Sequence, residues 1–371
     1  MKSFFPIYII IVLVFIGACR DKYKPDVVSL QKSFLVVEAN LNPGNDSTIV
    51  RLTKTFKLDD TARLNTINNA QVTVEGKDNS AYVLTPRGSG YYISPFLGLT
   101  INEDYRLRIR TGDGKEYLSD YVKAKHTPDI DSISWERDEK GVHIYANTND
   151  PTGNSRYYRW NYDETWEIKT YYYSRLIYLG GSSIRQRVFP QEDVSTCWKF
   201  NHLSEILLAN SVNLDEDIIY KKKLTLIPEQ AERLQVRYSI LVKQYALDKE
   251  AYQFYEIMKK NTEEVGSLFG PQPSELKGNL QCLTDPTEPV IGYVTASEEK
   301  KKRIFISIPG WHFPMSCYNV DVPKSPDSIY YYFGVVGLVP YEDAVDHYQG
   351  APKVCAECTY RNGTTVKPSY W

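Results

Sequence analysis

Alternation of apolar and polar residues is the main structural signal in this chain. It is clearest over residues 104–111, where Tyr105, Leu107 and Ile109 alternate with three arginines. A period of two places the apolar side chains on one face of a β-strand, and Gly112-Asp113-Gly114 then favours a hairpin. Short runs of this kind fill residues 32–127, which predicts an antiparallel β-sandwich of immunoglobulin type. The predicted strands are 34–41, 48–56, 71–75, 81–85, 90–94, 104–111 and 115–123.

A second and larger β-rich domain is predicted for residues 128–371. Pro128 marks its start, because proline biases the preceding residue towards extended backbone. Alternating patterns predict strands that do not decide between an antiparallel barrel and a sandwich. These strands are 133–137, 142–147, 234–242, 290–296 and 303–308.

One segment changes from the strand period to the helix period. Leu247, Ala251, Phe254 and Met258 fall on one helical face, and Asp248 is placed to cap the start. The pattern predicts one main helix at about residues 248–264. A single helix in a β domain is expected to cover an exposed sheet or to close the end of a barrel.

The start of the chain predicts a lipid anchor. An apolar run over residues 4–16 is shorter than the roughly 20 residues that span a bilayer, and it ends in Ile16-Gly17-Ala18-Cys19. This pattern predicts a lipoprotein signal peptide at residues 1–18, acyl chains such as palmitate on Cys19, and a tether at residues 19–31. The alternative is a signal anchor in which Cys19 is an ordinary residue. The covalent lipid on Cys19 is the only cofactor-like group expected.

The residue after the cysteine bears on the location of the protein. Arg20, rather than aspartate, follows Cys19, so no signal for retention in the inner membrane is present. The lipid would therefore hold the protein in the outer membrane of a Gram-negative bacterium, and the cell surface is favoured over the periplasmic face. No basic block accompanies the net charge of −2, which argues against a nucleic-acid partner.

Tyrosine is unusually frequent, with 30 residues. It favours β-strands, and its polar hydroxyl suits wet interfaces. An aromatic stretch in the second domain is therefore a candidate surface for a ligand or partner, although a barrel wall packed with aromatic rings is the alternative. The candidate residues are Tyr157, Tyr158, Trp160, Trp166, Tyr171, Tyr172 and Tyr173.

Five cysteines follow Cys19, and the envelope permits disulfide bonds. An odd number leaves at least one thiol free or bonded to another chain. The Cys355-x-x-Cys358 pair lacks the second pair or the histidines that a zinc site needs, so structural disulfides are favoured. The candidate disulfide cysteines are Cys197, Cys282, Cys317, Cys355 and Cys358.

No catalytic or metal-binding constellation stands out. Glu164 and Glu167 resemble a glycosidase pair, but residues three apart in a strand point to opposite faces. The oxygen-rich segment 147–154 does not match the spacing of a calcium loop, and its composition is typical of a turn. Since the common nucleophile, zinc and nucleotide motifs are also absent, the protein is predicted not to be an enzyme.

Several runs resemble a family of Bacteroidota lipoproteins, domain of unknown function 4249. They include Phe34-Leu35-Val36-Val37-Glu38-Ala39 and, most specifically, Tyr238-Ser239-Ile240-Leu241-Val242-Lys243-Gln244-Tyr245. Such lipoproteins are often encoded beside TonB-dependent transporters. The resemblance therefore implies an accessory protein that captures substrate for a TonB-dependent β-barrel transporter in nutrient uptake. The alternative is an envelope structural or assembly factor without a small ligand.

Overall fold

A computed structural model describes residues 33–55, 65–202, 205–263 and 276–371 of a mainly β protein. The predicted signal peptide, Cys19 and the tether lie outside the described residues. None of the helices within these ranges is long and apolar enough to cross a membrane.

The regular elements follow the chain in three groups. The N-terminal group contains β1 (Leu35–Leu41), β2 (Thr48–Lys54), β3 (Asn65–Thr66), β4 (Ala70–Gly76), β5 (Ala81–Val83), β6 (Thr85–Gly88), β7 (Tyr91–Ser94), β8 (Asp104–Thr111), β9 (Glu116–Ser119) and β10 (Val122–Lys123). The central group contains β11 (Ile130–Asp138), β12 (Gly141–Asn149), β13 (Tyr157–Lys169), β14 (Leu176–Gly180), β15 (Ser183–Gln186), β16 (Thr196–His202), β17 (Leu207–Asn210), β18 (Ile218–Pro228), β19 (Arg237–Leu247) and helix α1 (Lys249–Glu263). The C-terminal group contains β20 (Leu280–Cys282), β21 (Val290–Ala296), β22 (Lys300–Ile306), β23 (Val320–Pro323), helix α2 (Pro326–Ile329), a π-helical turn (Tyr330–Val335), β24 (Val339–Asp343), β25 (His347–Ala351) and helix α3 (Lys353–Ala356).

The predicted N-terminal β-sandwich is confirmed. One sheet has the order β21-β1-β2-β7-β6 with β3 beside β2, and the other has the order β20-β9-β8-β4-β5 with β10 beside β8. Alternate side chains of both sheets meet in one core, and Leu52, Val74 and Leu107 are completely buried there. The period-two pattern therefore identified the buried face of these strands correctly.

The boundary at residue 127 does not separate the two cores. Strand β21 pairs in parallel with β1, and β20 pairs with β9, so both belong to the first sandwich although they were assigned to the second domain. Val294 and Cys282 are buried in the first core. The sandwich is antiparallel, as predicted, except at the β1–β21 pair. Without β21, the edge of β1 would leave backbone donors and acceptors unpaired.

The second domain is a sandwich and not a closed barrel. Sheet β11-β12-β18 packs against sheet β16-β13-β19-β22, with β17 also paired to β13, and all these pairs are antiparallel. Tyr158, Trp160 and Tyr238 are fully buried between the two sheets. The indole Nε1 of Trp160 donates a hydrogen bond to Gln244 Oε1 at 2.8 Å, so its polar atom is satisfied inside the core.

The main helix is confirmed, and it lies between the sandwiches. Asp248 Oδ1 accepts a hydrogen bond from the Ala251 backbone N–H at 2.6 Å, as expected of a capping residue. The ring of Tyr252 packs on Tyr157 of the second sandwich. Phe254 packs on Tyr293 of the first, with 5.3 Å between ring centroids. Helix α1 therefore covers outer sheet faces and joins the two sandwiches.

A smaller C-terminal part completes the fold. Sheet β23-β25-β24, hairpin β14-β15 and helix α2 surround a small core that includes Val322, Phe333 and Leu338. The last residues pack back onto β13: Tyr370 Oη lies 2.8 Å from Thr165 Oγ1, and Trp371 Nε1 donates to Glu167 Oε2 at 3.1 Å. The outer face of this half of β13 is therefore covered.

Candidate functional site

A cleft of about 540 Å³ lies where the two sandwiches face each other. Strands β1, β2 and β21 form one wall, β13 and β19 form the other, and α1 contributes at one side. Strand alternation explains the lining, because Trp160 points into the core whereas its neighbours Arg159 and Asn161 point outward into the cleft. The cleft is thus built from the polar halves of amphipathic strands.

Arg159 is held by aromatic rings and not by an acid. Its Cζ lies 4.8 Å from the ring centroid of Tyr245 and 4.5 Å from that of Tyr255. Stacking fixes the plane of a guanidinium and leaves its charge available. The Tyr245 hydroxyl in turn donates to the Glu299 carboxylate, and burial, followed by the charge of Glu299, raises the pKa of Tyr245. Tyr245 therefore remains a protonated, immobile platform.

Unpaired donors concentrate in this cleft. Among the described residues, four buried side-chain nitrogen atoms have no hydrogen-bond partner, and three of them belong to cleft residues: Asn42 Nδ2, Arg51 Nε and Arg159 Nε. A buried unpaired donor costs about 1–3 kcal/mol, and such groups are rare in folded proteins. These three nitrogen atoms are shielded from solvent within the cleft walls, so an acceptor oxygen would reach them only after the neighbouring side chains move.

The remaining charges of the cleft are largely paired. Lys243 Nζ lies 2.7 Å from Asp163 Oδ2, and Lys301 bridges Asp46 and Glu299. The hydrogen bond from Lys301 is the largest influence on Asp46, and it holds the pKa of that carboxyl below its ordinary value. Arg159 is the cation of this cleft that has no acidic partner within the described ranges, so it is the position best suited to an anionic ligand group.

The predicted aromatic surface is not formed. Tyr158 and Trp160 are 0% exposed and Trp166 is 8% exposed, because they occupy the inner face of β13. Tyr157 is on the outer face but packs on helix α1. The exposed-surface interpretation is wrong for these four residues; three of the rings are packed inside the domain, as the alternative had it, but in the core of a sandwich and not in a barrel wall.

The second aromatic run lies elsewhere and does not line the cleft. Tyr171 and Tyr173 are exposed, and Tyr173 stacks on Phe189 with 5.4 Å between ring centroids. Tyr172 is half-buried and stacks on Tyr341 at 4.5 Å. The structure therefore does not bring the candidate aromatic residues together at one site.

Four of the five candidate cysteines form disulfide bonds. Cys197 bonds to Cys358, and Cys317 bonds to Cys355. Cys282 is a buried thiol in the first core. The two cysteines of the C-x-x-C sequence thus have different partners and do not form a dithiol pair with each other.

The two glutamates of the aromatic stretch are on opposite faces of β13, as the strand period predicts. Glu164 is 1% exposed and accepts hydrogen bonds from Arg233 at 2.9 Å and from Tyr238 at 2.7 Å. Asn201 Nδ2 donates to its other oxygen at 2.8 Å. Glu167 instead receives the indole of Trp371. The two carboxylates therefore cannot act on one substrate bond.

The oxygen-rich segment 147–154 forms a turn. The Asp150 carboxylate accepts backbone N–H groups from Thr152, Asn154 and Ser155. Burial acts to raise the pKa of Asp150, but a hydrogen bond from the Thr152 hydroxyl and these backbone hydrogen bonds together outweigh it and lower the pKa. Across the described ranges, no group of three or more His, Cys, Asp or Glu side chains is arranged to hold a metal ion.

Sequence reasoning missed the cleft residues. Arg159 lies within the aromatic stretch, but the two tyrosines that hold it, Tyr245 and Tyr255, lie about ninety positions further along the chain. The available signal was the alternation of β13, in which the polar positions between the aromatic residues mark the outward face. The alternation does not show which distant residues contact the outward face of β13.

The fold and the cleft define a class: a two-sandwich β protein with a ligand-sized cleft between its halves. The chain belongs to the family described as "Domain of unknown function (DUF4249)", whose sequence profile matches residues 20–303. A comparison with curated proteins found no match. Among solved structures, the chain is similar to the chicken interferon gamma receptor alpha chain at 11% identity and a TM-score of 0.15, over 58% of this chain and 90% of that one. A similarity that weak carries no argument about function.

Proposed function

We propose that this protein is a lipid-anchored outer-membrane protein of a Bacteroidota bacterium that captures a ligand for a TonB-dependent β-barrel transporter. The sequence around Cys19 supports the anchor, and what the family resemblance implies supports the transporter. The observation that carries ligand capture is the Arg159 guanidinium, which is stacked between two tyrosines in a cleft of about 540 Å³ and has no acidic partner in the described part.

The chemistry of the cleft fits a short apolar peptide with a free carboxyl terminus. A carboxylate is the natural partner of the Arg159 guanidinium. Ile49, Ile291 and Met258 offer apolar contact along the walls. The exposed carboxylates of Glu38 and Glu205 lie in the same cleft and suit a peptide amino group. A volume of this size lies within the usual range for small-ligand sites, roughly 300–1,000 Å³.

The Arg159→Gln substitution is expected to weaken peptide binding by about tenfold or more, because a charge-assisted hydrogen bond contributes about 1.5–3 kcal/mol. Isothermal titration with the tripeptide Leu-Phe-Leu measures the affinity. The same peptide with an amidated terminus should bind the wild-type protein about as weakly as the free peptide binds the variant. Arg110→Gln, at an exposed position of β8, is the matched control and should bind normally. Equal affinity for the free and amidated peptides would contradict this role of Arg159.

The Cys19→Ser substitution is expected to abolish both lipid attachment and association with a transporter. Without the thiol no acyl chain can be added, so the chain should take up no labelled fatty acid and should keep its first 18 residues. Wild-type protein extracted from envelopes in mild detergent should carry one β-barrel transporter in about equimolar amount, measured by mass spectrometry, and the variant should carry none. Cys282→Ser is the control, since this cysteine is also unbonded but lies in a core. Lipid-labelled wild-type protein that repeatedly purifies without a transporter would overturn the transporter role and leave the anchor intact.

A further inference from the structure

A second cavity lies inside the open end of the second sandwich. It has a volume of about 550 Å³ and is lined mainly by polar side chains from β13, β16 and β18. Tyr162 and Glu164 reach it from the inner face of β13, whereas Arg159 and Asn161 line the cleft from the outer face. The cavity and the cleft thus use opposite faces of one strand, and the following inference does not depend on the proposed function.

The charge of Glu164, the buried acid of this cavity, is balanced by a neighbouring arginine. Glu164 is almost completely buried, and its two oxygens accept hydrogen bonds from Arg233, Tyr238 and Asn201. Arg233 and Glu164 therefore balance each other's charge. The other acid of the lining, Glu205, is exposed at the rim that the cavity shares with the cleft.

Two lysines of the cavity, Lys222 and Lys223, are not balanced in this way. Lys222 is half-buried on β18, and it has no acidic partner within the described ranges. Burial lowers the pKa of Lys222, and the neighbouring charge of Lys259 lowers it further. Lys259 donates to the Ile206 carbonyl oxygen and lies 3.5 Å from Glu263, and Lys223 also lines the cavity. The polar cavity therefore has an excess of positive charge.

We propose that this cavity is a binding site for a small ligand that carries phosphate, sulfate or several carboxylate groups, with Lys222 contacting the anionic group. A bound oxyanion would supply the acceptors that Lys222 does not find in the protein. It would also offset the repulsion between Lys222 and Lys259, because two like charges in a partly desolvated site repel each other. The polar walls favour a hydrophilic ligand over an amphiphilic one.

Lys222→Gln is expected to reduce anion affinity by about tenfold or more, equivalent to about 1.4 kcal/mol. Isothermal titration of the full mature chain at low ionic strength, with inorganic phosphate, sulfate and citrate as separate probes, measures the effect. Tighter binding of phosphate and sulfate identifies a tetrahedral oxyanion, and tighter binding of citrate identifies a polycarboxylate. Lys222→Arg keeps the charge and should retain affinity within about threefold.

Lys140→Gln is the matched control, because it removes one lysine charge from the exposed turn between β11 and β12. It should bind each anion as the wild type does, and all variants should unfold at the same temperature. Absence of binding to the wild type by all three probes up to millimolar concentration would overturn the proposal. So would unchanged binding by Lys222→Gln, or equal losses in the Gln and Arg variants.

Discussion

Removal of the Cys197–Cys358 disulfide is expected to lower the free energy of unfolding by about 4–5 kcal/mol. The bond joins positions 161 residues apart, and it links β16 of the second sandwich to the C-terminal segment. A cross-link over so long a loop removes much of the conformational freedom of the unfolded chain. Both cysteines are completely buried, so the double variant should carry alanine at positions 197 and 358. Urea unfolding, followed by tryptophan fluorescence under oxidising conditions, measures the loss.

Two further variants separate the effect of losing the cross-link from the effect of losing buried sulfur atoms. Cys282→Ala removes a buried thiol without breaking a bond and should cost about 1 kcal/mol. The Cys317–Cys355 bond spans 38 residues, so its removal should cost about 1 kcal/mol less than removal of the longer link. A double alanine variant at 197 and 358 that is no less stable than Cys282→Ala would contradict the assignment of the longer bond as a major stabilising link.

Glu164→Leu is expected to lower the free energy of unfolding by about 2–3 kcal/mol. The substitution leaves the Tyr238 hydroxyl, which is completely buried, and the Arg233 guanidinium without their acceptor. The loss comes mainly from the unpaired Tyr238 hydroxyl, because the Arg233 side chain is 33% exposed and water partly replaces its lost partner. Urea unfolding at neutral pH measures the effect. The free energy of unfolding of the Glu164→Gln variant should lie between those of the wild type and Glu164→Leu, since an amide oxygen still accepts a hydrogen bond.

Glu167→Leu is the control for this prediction. Glu167 lies three residues away on the same strand but on its outer face, where it accepts one hydrogen bond from the Trp371 indole. The Glu167→Leu substitution should lower the free energy of unfolding by less than about 1 kcal/mol, as is usual for surface substitutions. Equal losses in the two leucine variants would show that the buried hydrogen-bond network around Glu164 does not contribute as inferred.

Much of the secondary structure could be predicted from local patterns. Strand β8 was predicted over its observed range, Asp104–Thr111, because alternation reports directly which side chains face a core. The main helix was predicted within one residue at each end of Lys249–Glu263, since its apolar positions repeat with the helical period. The strand before the helix was predicted less well, because the pattern gave residues 234–242 whereas β19 is Arg237–Leu247.

The candidate surface shows where local patterns stop being sufficient. Tyr158 and Trp160 have the residue types of a ligand-binding surface, yet they alternate with polar residues and fill the core. Aromatic side chains serve both roles, because their large apolar area stabilises a core as well as an interface. Composition therefore could not distinguish a binding surface from a core. The second sheet, which packs over the inner face of β13, shows that these residues form a core.

The sequence by itself determined the mainly β character, the main helix, the family and the fact that five cysteines cannot all pair with one another. Only the tertiary structure decided that β21 completes the first sandwich, that Cys355 and Cys358 have different partners, and that Arg159 meets Tyr255 in a cleft. The physical reason is that the periodicity of buried side chains extends over only a few residues, so a short segment of sequence specifies it. The choice of a partner depends on which distant edges and faces pack best against each other, after the entropy of closing long loops has been overcome.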